Sequence, residues 1–328
     1  MKPVLISAAL LVGSTLLLAQ TPPSGGQGQK GKGPATPPPL RDVRTAAIPG
    51  VVAAGVPIQV VKEGFASTEG PIALPDGTFA FTETSQSKIH RIDANNNVSL
   101  YLENTNGANG LGFDGRGRLI AVQTVAGKTQ VGPIGKDGPE TPLASSFNGR
   151  TFSRPNDLVV GRNGNIYFSD MGAGGSGVYR ISAKGELSRI DSEIQRPNGV
   201  TLSPDEKSLY VANVGGEHVL AFDVAPDGTV SNKRNFAKLT EVTTDAKGGL
   251  NSGADGLAID SAGRLYVASN PGVQVFSPTG QALGIIPTPV RPQNIAFAGP
   301  DKGTLYVVGR GNVYKVALLA KGFAGRAK

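Results

Sequence analysis

Arg196-Pro197-Asn198-Gly199-Val200-Thr201-Leu202-Ser203-Pro204-Asp205-Glu206-Lys207-Ser208-Leu209-Tyr210-Val211-Ala212 contains the plan of the chain in one short stretch. The polar signature Pro197-Asn198-Gly199 leads into the short strand Gly199-Val200-Thr201-Leu202. Ser203-Pro204-Asp205-Glu206 then supplies the preset φ and the side-chain-to-backbone bonding of a hairpin corner. Leu209-Tyr210-Val211-Ala212, rich in β-branched and aromatic residues, returns as a second strand. Near copies of that second strand recur as Leu265-Tyr266-Val267-Ala268 and Leu305-Tyr306-Val307-Val308, and Ile166-Tyr167-Phe168-Ser169 and Phe79-Ala80-Phe81-Thr82 fill the same slot. Third strands follow, such as Val178-Tyr179-Arg180-Ile181 and Val273-Gln274-Val275-Phe276, and weaker fourth strands such as Val98-Ser99-Leu100-Tyr101.

Six polar signatures open six such runs: Glu69-Gly70-Pro71, Asn109-Gly110-Leu111, Pro155-Asn156-Asp157, Pro197-Asn198-Gly199, Ala254-Asp255-Gly256 and Gln293-Asn294-Ile295. Their key side chains, at 69, 109, 156, 198, 255 and 294, are separated by 40, 47, 42, 57 and 39 residues. Four strands repeating at roughly forty residues predict an all-β chain, a six-bladed β-propeller with four-stranded blades. Val56-Pro57-Ile58-Gln59-Val60-Val61 precedes the first signature and has no hairpin of its own. It is predicted to be the outer strand of the last blade, beside Asn312-Val313-Tyr314-Lys315-Val316, leaving few exposed edges.

The 328 residues suffice for a sizeable core without requiring two domains. With no Cys, disulfides and thiolate metal sites are excluded, and two histidines, His90 and His218, are too few for a His-rich zinc site. The net charge of +7 is scattered, with no Lys/Arg run interleaved with aromatics, so nucleic acid is not an expected partner. Residues 1–20, with Met1-Lys2 ahead of an apolar run from Leu5 to Ala19, read as a signal peptide, too short for a membrane span. An uncleaved anchor is the alternative reading. Residues 21–48, which include Pro22-Pro23-Ser24-Gly25-Gly26 and Pro37-Pro38-Pro39, read as a disordered Pro/Gly-rich linker. The propeller is assigned to residues 49–320, with folded structure beginning near Gly55. A periplasmic or secreted location follows, without stable membrane insertion.

Six signatures in order, from Thr68-Glu69-Gly70-Pro71 to Asn294-Ile295-Ala296-Phe297, resemble the regucalcin, gluconolactonase and luciferin-regenerating enzyme (SMP-30) family of six-bladed propellers. The resemblance runs from about residue 55 to 318. It implies one divalent metal at the central channel, held by Glu69, Asn156, Asn198 and Asp255, and hydrolysis of sugar lactones or related esters with Asp255 as general base. Arg154 matches a family arginine implicated in substrate contact, and Asn156, two residues on, is assigned to substrate contact as well as to the metal. Two carboxylates and two amide oxygens form a hard, all-oxygen set suited to Ca²⁺ foremost, with Mg²⁺, Mn²⁺ or Zn²⁺ as alternatives. Asn109 and Asn294 fall outside the four ligand motifs and are assigned to channel lining or substrate contact.

Blander roles stand beside these. Glu69 and Asp255 could brace turns, and asparagines at such positions could simply tolerate left-handed φ. Asp157 reads as a backbone-bracing carboxylate and Asp170 as a solvated strand end. His90 and His218 lie toward blade exteriors, and no Gly-x-Ser-x-Gly elbow is present. Residues 123–150, 170–177 and 240–253 are candidate roof loops, and their few aromatics argue against gluconolactone itself. Competing functions are a non-catalytic propeller that binds a ligand or a protein, and a strictosidine-synthase-like propeller enzyme.

Overall fold

The structure is a computed structural model that describes residues 42–172, 176–326 and 328. The expected signal peptide and the expected linker as far as residue 41 lie outside the described residues. Among the described residues, six four-stranded antiparallel sheets follow one another around a ring. Blade 1 spans residues 69–103, blade 2 residues 108–139, blade 3 residues 155–191, blade 4 residues 197–238 and blade 5 residues 257–286. Blade 6 takes three strands from residues 294–317 and its rim strand, Gln59–Glu63, from the other end of the chain. That strand pairs antiparallel with Asn312–Ala317, Gln59 opposite Lys315 and Glu63 opposite Asn312, so the ring closes as the sequence predicts, a few residues later than Val56. Two small hairpins, Ser146–Phe147 with Arg150–Thr151 and Thr243–Thr244 with Leu250–Asn251, sit between blades.

Burial grades from axis to rim. The innermost strands, such as Pro155–Val160 and Pro197–Leu202, are buried throughout, whereas rim strands such as Val98–Glu103 are mostly exposed. Each inner strand touches its neighbours on both faces, which explains why these runs are nearly continuous in apolar residues rather than alternating. The core therefore lies between blades. Ile72, Ala80 and Ile89 of blade 1 pack on Leu111 and Ala121 of blade 2, and Val159 and Tyr167 of blade 3 pack on Val200, Leu209 and Val211 of blade 4. The joint between blades 6 and 1 is packed as well, with Phe79 stacked on Tyr306 at 4.0 Å between ring centroids. Truncating Phe81, fully buried in that joint, to Ala would cost about 3–5 kcal/mol.

Hairpin corners follow the composition. In blades 2 and 5, Asp114 and Asp260 accept backbone N–H bonds from residues two and four further on, and each pairs with an arginine, Arg118 at 2.8 Å and Arg264 at 2.7 Å. Gly117 and Gly263 supply the left-handed corner, at φ +77° and +78°.

Both assigned domain ends move outward. Residues 42–48, placed in the linker by composition, are bound to the body: Thr45 N–H donates to Val56 O at 3.0 Å, and Ile48 is buried among Tyr266, Val273 and Ile286. Isolated apolar residues such as Val43 and Ile48 are enough to dock a Pro/Ala-rich segment. At the other end, ordered structure continues past 320. Gly322 bridges Asp260, Arg326 pairs with Glu206 at 2.9 Å, and Lys328 pairs with Asp157. This tail passes beneath blades 5, 4 and 3 on the face opposite the site described next.

Candidate active site

In blades 1 to 4 the innermost strand carries a bulge at the same place. Between Pro155 and Leu158 the inner strand advances three residues while its partner advances two, Asp170 to Phe168. The same offset occurs between Glu69 and Ile72, Ala108 and Leu111, and Pro197 and Val200. A bulge turns its extra side chain out of the pleat, and here it turns Asn109, Asn156 and Asn198 toward a common cavity. Asp255 reaches the same cavity just ahead of the inner strand Leu257–Ile259, its N–H bonded to Ala268 O at 2.8 Å.

The glycines of the signatures act between blades rather than as turn residues. A side chain on Gly199 would bring its Cβ to 2.3 Å from Asp255 O, and one on Gly256 to 1.8 Å from Asn294 Oδ1. Each glycine lets the next blade's signature approach the axis. The Asn-Gly and Asp-Gly pairs that resemble turns in the sequence are thus axial contact points.

The cavity is about 610 Å³ and is lined by Glu69, Asn109, Asn156, Asn198 and Asp255, with Arg154, Arg196 and Arg291 also contributing. The four proposed ligands therefore share one space. Asn109 joins them: Asn109 Oδ1, Asn156 Oδ1, Asn198 Oδ1 and Asp255 Oδ1 are all buried and have no hydrogen-bond partner among the described residues. Orphaned buried acceptors from four blades are costly and uncommon. The amide nitrogens of Asn156 and Asn198 turn to Met171 Sδ, at 3.2 and 3.9 Å, which leaves their oxygens for the cavity. Glu69 is held from blade 6, accepting from Gln293 Nε2 at 3.1 Å and Asn294 Nδ2 at 3.2 Å. Asn294 does not line the cavity; it holds Glu69 in place, and a direct substrate contact is not what its geometry offers.

Two carboxylates in one buried space disfavour ionisation. Burial, with a contribution from Asp157, pushes the Glu69 carboxyl up to about 7, against the pull of its bond from Asn294 and of Lys328. Burial and the charge of Glu69 push Asp255 well above the usual carboxylate range, while Arg291 and Arg154 draw it back. A divalent cation would relieve both groups and satisfy the orphaned oxygens at once.

Three sequence readings change. Asp170 is fully buried rather than solvated, and accepts the backbone N–H groups of Ser153, Arg154 and Gly172 at 2.9, 2.7 and 3.0 Å, fixing the segment that carries Arg154. Asp157 braces the Leu158 N–H at 2.9 Å as expected, but also faces Lys328 on the side away from the cavity. Of the proposed roof loops, residues 130–135 form the third strand of blade 2 instead, and only Thr124 and Val125 of that stretch reach the cavity. Met171, Asn251 and Gly253 reach it from the other two loops. His90 bonds Glu83 Oε2 at 2.8 Å and stays away from the cavity.

A six-bladed ring with an axial cavity lined by amide and carboxylate oxygens defines a class of propeller built around a small polar site. The SMP-30/Gluconolactonase/LRE-like family model matches residues 67–310, and the chain belongs to that family. A gluconolactonase of Zymomonas mobilis is 27% identical over 294 residues, 79% of this chain and 81% of that one. A pentonolactonase of Haloferax volcanii is 25% identical over 250 residues, 74% and 81% of the two chains. A gluconolactonase structure from Xanthomonas campestris superposes with a TM-score of 0.73 at 26% identity, covering 87% of this chain and 98% of that one.

Proposed function

We propose that the chain opens a sugar lactone or related ester, with a divalent cation held by Glu69, Asn156, Asn198 and Asp255, assisted by Asn109, and with Asp255 as general base. The observation that carries this reading is the set of four buried oxygens, from four blades, that face one cavity without a donor. Among the described residues no three His, Cys, Asp or Glu side chains cluster as a metal group, so the amide oxygens are essential to the site. Such an oxygen-only set suits Ca²⁺ before softer ions. Lactonase relatives that match over most of their length support the same reaction class.

A bound cation would supply Lewis acidity toward the ester carbonyl. The chain's own residues do the rest. Asp255 takes a proton from the water that adds to the carbonyl carbon. It returns that proton to the ring oxygen as the C–O bond breaks, releasing a hydroxy acid. Asp255 lines the cavity in which water and ester would meet. Arg154, held through its backbone by Asp170, orients the substrate at the mouth.

The test is a lactone and ester panel with Ca²⁺ and with EDTA, alongside thermal melting. Ca²⁺ is expected to raise the melting temperature, and Asp255→Asn to lower kcat about 10²–10⁴-fold. No gain in stability with any divalent cation would remove the metal site. Wild-type hydrolysis by Asp255→Asn with Ca²⁺ still stabilising would remove the base assignment. Export belongs to the same proposal, and an intact mass lacking the first twenty residues in secreted protein is its test.

A further inference from the structure

Three arginines stand at the cavity, and the sequence sets them in like positions: Arg154-Pro155-Asn156, Arg196-Pro197-Asn198 and Arg291-Pro292-Gln293-Asn294. In each case a proline stiffens the step between the arginine and the polar signature of an inner strand. All three line the cavity, and among the described residues its acidic lining is Glu69 and Asp255, with no lysine or aromatic residue in the walls.

The three differ in how far they are committed. Arg196 Nη2 donates to Leu250 O at 2.5 Å and braces the hairpin above it. Arg291 is half-buried; its Nη1 reaches Asn270 Oδ1 at 3.3 Å, and its Nε is buried without a partner. The Arg154 guanidinium makes no hydrogen bond among the described residues, although its backbone is anchored on Asp170. Once Glu69 and Asp255 face a cation, no carboxylate in the cavity remains to balance these guanidiniums. Arginine forks at the mouth of a polar site match planar or tetrahedral anions through paired N–H bonds.

Resting on the lactonase reading, we propose that the substrate carries an ionised group of its own beside the lactone, a carboxylate or a phosphate. Arg154 and Arg291 receive this group, and Arg196 adds its charge. The lactone carbonyl then faces the axial oxygens while the anion faces the rim. The lack of aromatic walls agrees with recognition by charge rather than by stacking on a neutral sugar ring.

The experiment compares kcat/KM for gluconolactone, which is neutral, with the lactone of glucaric acid, which bears a carboxylate, and with phosphogluconolactone. One charged lactone is expected to be favoured about tenfold or more, the gain of a charge-assisted hydrogen bond, and added salt should erode the preference. The charged substrate that is favoured identifies carboxylate or phosphate as the group. The double variant Arg154→Gln/Arg291→Gln should abolish the preference, mainly through KM. Equal or better use of the neutral lactone, or a preference that survives in the double variant, overturns the proposal while leaving lactonase activity in place. If no lactone is opened, the lactonase reading fails, and the anion site is read by melting with Ca²⁺ in excess. Glucarate must then stabilise the wild type more than sorbitol does, and must lose that advantage in the double variant; otherwise the anion site is overturned too.

Discussion

Replacing Lys328 with Met should destabilise the propeller far more than its place in a surface tail suggests. Lys328 Nζ lies 2.6 Å from Asp157 Oδ1, and the two side chains are 5% and 0% exposed. Among the described residues, Asp157 has one further donor, the Leu158 N–H. Removing the ammonium leaves a carboxylate sealed beneath blade 3, and breaking a buried pair from one side costs about 3–5 kcal/mol. At about 2–4 °C per kcal/mol for a domain of this size, the melting temperature should fall by about 6–20 °C. Asp157→Asn should cost less, because the long lysine stem can carry its charge outward. The double variant should recover most of the loss. The chain has no Trp, so urea unfolding followed by circular dichroism is the suitable assay, with all four proteins forming a double-mutant cycle. Lys328→Met within about 0.5 kcal/mol of wild type, the range of an ordinary surface change, would show that the tail does not seat on Asp157.

The raised proton affinity of Glu69 gives a pH signature. With its folded value near 7 and its ordinary value at 4.5, the cation-free fold is favoured below the unfolded value. It loses up to about 3 kcal/mol as pH rises through the window to 7, because unfolding then releases the proton. Melting in EDTA across that range should show the decline, and the Ca²⁺ needed for half-maximal stabilisation should rise as pH falls below 7; a melting temperature that climbs with pH in EDTA would contradict the assignment. Gly199→Ala should cost about 1–3 kcal/mol and blunt the Ca²⁺-induced gain in melting temperature, since the added methyl meets Asp255 O at 2.3 Å and Gly256 Cα at 2.9 Å. An alanine variant that keeps both would mean that the blade-to-blade approach is not tight.

The blades were legible because each rests on local rules. Turn residues, strand composition and a forty-residue step recur without any long-range information. Much of the site was legible for the same reason, since one polar residue per repeat stands in a fixed place. Asn109 lines the cavity as expected, and its place on the same bulge as Asn198 shows only once the strands are paired. The glycines misled because Asn-Gly and Asp-Gly are also turn pairs, and only the neighbouring blade shows what fills the missing side chain. Asp170 and Met171 sit at a strand end that looks solvated until blade 3 is stacked in the ring. Lys328 meets a residue 171 positions away, and no local pattern announces such a partner.

The fastening of blade 6 affects how the chain is made. Gln59–Glu63 is made before blade 1, yet its partner strand, Asn312–Ala317, is made only after blades 1 to 5. Until then the nascent chain carries an unpaired strand edge and an open joint between Phe79 and the absent Tyr306. Blades 1 to 5 can stack in order, but the cavity cannot acquire Gln293 and Asn294, which hold Glu69, until blade 6 follows them. The axial site is therefore completed only with the most non-local strand pairing among the described residues. Interrupted or truncated chains would present several nearly finished blades and no working centre.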